Sequence, residues 1–204
     1  MEPSEPNEYF NPDHRLSFTF PDGYDDTILR IEDIRNRIKF GFDFERSEFA
    51  NSQFDEDPNF AVAVLYLAKR NSVRGLLGIG EEAGGAYFSM FREAEDEFDG
   101  LRSFTNQEVE FPGFPKEKLF VERSDDPQFF IYCRPSGNDY PSFCTLTARE
   151  LLRSPDSSNA TLLAEITFEE HNLSRWREIM IALEKIVSDH GEMVPRDQAA
   201  ERED

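Results

Sequence analysis

The sequence predicts an α+β protein: an antiparallel sheet of about five to six strands with helices packed on one face, including a C-terminal amphipathic helix. Three observations carry this expectation. From Gln107 to Phe168 the chain shows repeated segments of period two, rich in β-branched and aromatic residues, the pattern of half-buried strands. Turn chemistry separates them at Pro112-Gly113, Asp125-Asp126-Pro127 and Pro135-Ser136-Gly137-Asn138-Asp139. After them, apolar residues recur at helical spacing from Leu173 to Val187.

Taken in order, residues 15–20 alternate polar and apolar and run into Pro21-Asp22-Gly23, a strand and its turn. Ile28, Ile31 and Ile38 follow at helical spacing behind Asp25 and Asp26, so a helix is expected over 26–38. Phe40, Phe42 and Phe44 share one face of an extended segment and are expected in the core. Pro58 stands where a helix would start, and a helix is expected through Phe60, Val64, Leu67 and Ala68, the β-branched content leaving a buried strand as the alternative. Tyr87, Met90, Phe91, Ala94 and Phe98 trace a second helical stripe beside the acidic residues 93–99.

Strands are then expected at 109–111, 118–122, 128–134, 142–146 and 162–168. A short helix capped by Thr147, through Leu151 and Leu152, interrupts the last two. The final helix, 174–190, carries Trp176, Ile179, Met180, Leu183, Ile186 and Val187 on one stripe and stops at Gly191.

With 204 residues, 38% of them hydrophobic and 20 of them Phe, the chain is expected to fold as one domain over 14–192. The unpatterned arm 1–13 and the charged tail 193–204 are expected to fray. The balance of 42 acidic to 22 basic residues, a net charge of −20, repels phosphate backbones and anionic lipid, which argues against direct nucleic-acid or membrane binding. Two cysteines are too few for a disulfide framework, and Met1-Glu2-Pro3-Ser4-Glu5 lacks the basic and apolar regions of a signal peptide. A reducing cytoplasm is the expected location.

Local motifs for chemistry are sparse. Gly78-Ile79-Gly80-Glu81-Glu82-Ala83 fits the G-x-G-x-x-A pattern, but the stretch before it makes a poor strand and its two glutamates would face the phosphates, so it reads as a turn. Cys133 and Cys144 flank one loop and are expected as cross-strand neighbours, two small buried thiols rather than a redox switch. His14, His171 and His190 lack metal-ligand spacing, and Glu169-Glu170-His171 offers ligands or a proton shuttle to an enzyme but stands between a strand and a helix, where polar turn residues are expected anyway. No catalytic, cofactor-binding or metal-ligating residue is assigned, and no cofactor is expected.

The charge is concentrated at Asp55, Glu56 and Asp57 and at Glu93, Glu95, Asp96, Glu97 and Asp99. Beside the plain reading of a solvated, solubilising face, these residues are the expected partner-binding set, steering a basic protein toward aromatic anchors among Phe54, Phe60, Phe91 and Phe98, which also fall on core stripes by their period. The reading is an acidic protein-binding module that neutralises or chaperones a basic partner, of immunity, antitoxin or phage-inhibitor type, with DNA mimicry as one form. The alternatives are a homo-oligomeric assembly protein, a homodimer in its simplest form, and an enzyme with an unrecognised cleft.

Overall fold

The structure, a computed structural model, describes residues 14–24, 37–51, 54, 56–69, 91–106, 116–124, 127–134, 142–153 and 160–195. Among these residues the protein is mostly β. The strands are β1 (His14–Phe18), β2 (Arg37–Asp43), β3 (Glu48–Phe49), β4 (Phe60–Lys69), β5 (Phe91–Phe98) and β6 (Leu101–Asn106). They continue with β7 (Lys118–Val121), β8 (Phe129–Arg134), β9 (Phe143–Arg153), β10 (Ala160–Glu169) and β11 (Gly191–Pro195). A 3-10 turn, Glu170–Arg175, leads into one α-helix, α1 (Trp176–His190).

Nine strands form one antiparallel sheet in the order β3-β2-β4-β10-β9-β8-β7-β6-β5, and β1 pairs with β11 in a separate ribbon. From β5 to β10 the sheet is a meander, each strand beside its predecessor, and β4 and β2 extend it past β10. The expected α+β domain is corrected accordingly: one helix among the described residues packs on a sheet larger than the sequence pattern suggested.

The register aligns one apolar row across six strands: Phe40, Ala63, Ile166, Leu146, Ile131 and Phe120. All six belong to the core beneath α1, which contributes Trp176, Ile179, Ala182, Leu183, Ile186 and Val187. The i, i+3, i+4 spacing of these residues is the amphipathic stripe read from the sequence. Full burial of each large side chain contributes about 1.5–3 kcal/mol. Phe40, Phe42 and Phe44 are buried in this core, as expected.

Two expected helices are strands. Phe60–Lys69 is apolar at nearly every position, so it carries no period to distinguish helix from strand. As β4 it buries Ala61, Ala63, Leu65 and Leu67 toward the helix and leaves Val62, Val64 and Tyr66 half-buried on the other face. The acidic stretch that looked helical is β5, and Leu101–Asn106, for which no strand was expected, pairs with it. Asp99 and Gly100 join the two with φ of 50° and 78°. Positive φ at both central residues is the hairpin turn that matches strand twist, and Asp-Gly is its favoured pair.

The short helix expected after Thr147 is also corrected, because β9 runs unbroken from Phe143 to Arg153 and Thr147 is paired on both sides, with Phe130 and Glu165. Of the helix expected over 26–38, residues 26–36 lie outside the described set, and Arg37 and Ile38 belong to β2. The strand expected at 109–111 and the Gly78–Ala83 motif also lie outside it. Met193, from which the charged tail was expected to run, lies within β11 (Gly191–Pro195).

On β2 the hydroxyl of Tyr24 bridges the backbone amide and carbonyl of Gly41. It accepts from the Gly41 amide at 2.8 Å, satisfying a backbone donor, and donates to the Gly41 carbonyl at 3.3 Å, an oxygen that also accepts from the Ala50 amide at 3.1 Å. Gly41 fits only without a side chain: a Cβ there would stand 2.5 Å from the Phe60 ring and 2.7 Å from the Ala50 carbonyl oxygen.

Candidate functional site

The 3-10 turn and the start of α1 meet both acidic segments. Buried Asn172 donates from Nδ2 to the Pro58 carbonyl at 2.7 Å. The guanidinium of Arg175 donates to Asn59 Oδ1 at 2.7 Å, pairs with Glu178 and stacks over the Phe44 ring at 4.7 Å. From the opposite side the β5–β6 turn arrives: Trp176 Nε1 donates to Asp99 Oδ2 at 2.9 Å. Arg177 pairs with the same carboxylate and donates to the Asp99 carbonyl at 2.9 Å. An anionic group at this position also complements the positive end of the helix.

Within the first acidic segment, Glu56 is exposed and Asp57 is committed to a local turn, its Oδ1 accepting from the Asn59 amide at 2.9 Å. Asp55 lies outside the described residues. On β5, Glu93, Glu95 and Glu97 are exposed, and the backbone of Asp96 is part of the strand. Glu93 accepts a fork of two hydrogen bonds from Arg102 on β6, at 2.8 and 3.0 Å. These bonds hold the Glu93 carboxyl below the usual carboxylate range and raise the guanidinium in turn. Glu97 pairs with Arg123.

Three of the carboxylates singled out in the sequence, Glu93, Glu97 and Asp99, therefore have arginine partners within the chain. Sequence reasoning missed those arginines and Trp176 as a donor. The cross-strand position of Arg102 emerges only once β5 is seen as a strand. Of the aromatic residues beside these segments, Phe60 and Phe91 are buried, half-buried Phe98 packs against the core, and half-buried Phe54 packs edge-on against Phe60 and Phe143.

A second polar cluster sits on the sheet face away from the helix. Glu117 accepts from Tyr132 Oη and from Nδ2 of buried Asn106, the latter at 3.0 Å, and Arg134 Nε stands 3.4 Å away. Burial pushes the Glu117 carboxyl up, but the bonds from Tyr132 and Asn106 and the charge of Arg134 outweigh it and hold the group below its ordinary range. Glu117 thereby joins β6, β8 and the segment before β7 in one polar network. His171 Nδ1 lies 3.3 Å from Glu169 Oε2 at the exposed link between β10 and α1, while His14 is in β1 and His190 ends α1 with its ring edge-on to Phe49. Among the described residues no group of three or more His, Cys, Asp or Glu is arranged to hold a metal ion.

Cys133 and Cys144 occupy opposed positions on β8 and β9, as the loop symmetry predicted, but they are bonded as a disulfide, with Cα atoms 4.0 Å apart. This corrects the expectation of two free buried thiols. No helix among the described residues is long and apolar enough to cross a membrane.

Neither a protein-family model nor a curated protein matches the sequence. Among solved structures, the fold is similar to an immunity protein of the Stenotrophomonas maltophilia type IV secretion system. The match has a TM-score of 0.58 at 11% identity and covers 86% of this chain and 89% of that one.

Proposed function

We propose that this chain is an immunity-type protein that binds and neutralises a protein partner. The observation that carries this reading is the similar fold, which spans most of both chains at 11% identity. The net charge of −20 favours a basic partner, because complementary fields accelerate encounter and disfavour wrong partners.

The contact surface is the acidic set Asp55, Glu56, Asp57, Glu93, Glu95, Asp96, Glu97 and Asp99. Arg102, Arg123 and Arg177 hold three of these carboxylates in fixed positions, which reduces the entropy lost when a partner docks. An acidic face of this kind suits a nuclease or DNA-binding partner whose nucleic-acid site it would cover. The Cys133–Cys144 disulfide favours an oxidising site of action over the reducing cytoplasm.

The test is capture of partners by the full-length chain at low and high salt, followed by association kinetics. A basic protein should be recovered, release as salt rises, and associate at least tenfold more slowly with the E93Q/E95Q/E97Q variant. Binding that is indifferent to both salt and these substitutions would remove the electrostatic surface. Self-association with no second protein would favour the homo-oligomeric assembly instead.

A further inference from the structure

The chain has two cysteines, and the structure joins them to each other. Cys133 and Cys144 lie directly opposite on β8 and β9, at 2% and 0% exposure, within the core that α1 covers. Antiparallel pairing brings the two cysteines opposite each other as soon as the hairpin registers, so strand pairing itself delivers the two sulfurs to each other. A dissolved reductant reaches the sulfurs only when the hairpin opens, because exchange requires a thiolate to contact one of them. The redox state of this pair therefore records the compartment in which the chain folded.

We propose that the Cys133–Cys144 bond is acquired during folding by exchange with a protein disulfide donor, and that the chain folds and works in an oxidising compartment outside the cytoplasm. One cysteine thiolate attacks the donor disulfide, forming a mixed disulfide and releasing one donor thiolate. The second cysteine thiolate attacks the chain's own sulfur in that mixed disulfide, which forms Cys133–Cys144 and releases the second donor thiolate. Two electrons pass to the donor, which leaves as a dithiol carrying the two protons that the cysteines lose. Disulfides of this kind persist where glutathione and thioredoxin systems do not keep thiols reduced. The inference is independent of the partner-binding reading.

The test uses the full-length chain in its own cells, quenched in trichloroacetic acid to stop exchange, unfolded in guanidinium and treated with a maleimide before and after reduction. Intact mass should show no maleimide added before reduction and one at each of the two cysteines after it. A parallel sample confined to a bacterial cytoplasm with its reducing systems intact should take up both maleimides without reduction. Thiols in the native cell would overturn the proposal. So would a disulfide formed in the reducing cytoplasm, because the bond would then carry no record of compartment.

Discussion

The indole of Trp176, the first residue of α1, donates to the carboxylate of Asp99 at 2.9 Å, locking the helix to the β5–β6 turn across 77 positions of sequence. The same ring packs on Phe129 of β8 with centroids 4.8 Å apart. Trp176 thus links the meander, through both a ring contact and a hydrogen bond, to the only α-helix among the described residues.

Replacing Trp176 with Phe keeps most of the apolar surface but removes the donor, and should lower stability by about 0.5–1.5 kcal/mol in urea unfolding. Asp99→Ala should cost more, about 1–3 kcal/mol, because it removes the acceptor of both Trp176 and Arg177 and places alanine at a positive φ. The double variant should fall short of the sum of the two losses. Additive losses would mean that the indole and the carboxylate do not interact.

What the sequence made legible follows from the distance over which each signal acts. The stripe from Trp176 to Val187 and the shared face of Phe40, Phe42 and Phe44 are local periodicities imposed by one buried side, and both were readable. Residues 91–98, Phe-Arg-Glu-Ala-Glu-Asp-Glu-Phe, consist mainly of poor strand formers, and they are held in β5 by contacts outside the segment, the ladder with β6 and the packing of Phe91 and Phe98 against the cores on the two faces. Asp99-Gly100 between Phe98 and Leu101 was the one local clue to a hairpin there. The neighbouring positions of Cys133 and Cys144 were inferable from a symmetric loop. Their oxidation depends on a compartment, which residue spacing does not encode.

Gly41→Ala should be among the more damaging single substitutions. Its Cβ would enter the space of the Phe60 ring and approach the Ala50 carbonyl oxygen, a backbone atom that cannot rotate away. Overpacking of this kind costs about 1–3 kcal/mol. The hydroxyl bridge from Tyr24 sits on the same residue, so Tyr24→Phe should lower stability separately, by about 1 kcal/mol. A wild-type unfolding midpoint for Gly41→Ala would show that β2 and β4 are not packed as described.

Removing the crosslink with Cys133→Ala and Cys144→Ala together should destabilise by about 2–4 kcal/mol, since a short closed loop restricts the unfolded chain. The far-ultraviolet circular dichroism should be unchanged, because the β8–β9 ladder and the helix above it remain. The unfolding midpoint of the wild type should move toward that of the double variant under a strong reductant in denaturant. A double variant as stable as the oxidised protein would leave the bond without a role in stability.

Acid should expose the role of Glu117. Its folded carboxyl lies below the ordinary value of 4.5, so its ionised form contributes stability that is fully present above the unfolded value and is lost as pH falls through the folded one. Glu117→Gln keeps a polar group between Tyr132 and Asn106 but cannot ionise. It should be less stable than the wild type at neutral pH by about 0.5–2 kcal/mol, discounted for the partial exposure of the side chain. The gap between the two proteins should narrow steadily below pH 4.5, since the wild-type carboxyl is then protonated as well. A gap that stays constant across the acid range would mean that the network draws its strength from geometry alone, without the charge on Glu117.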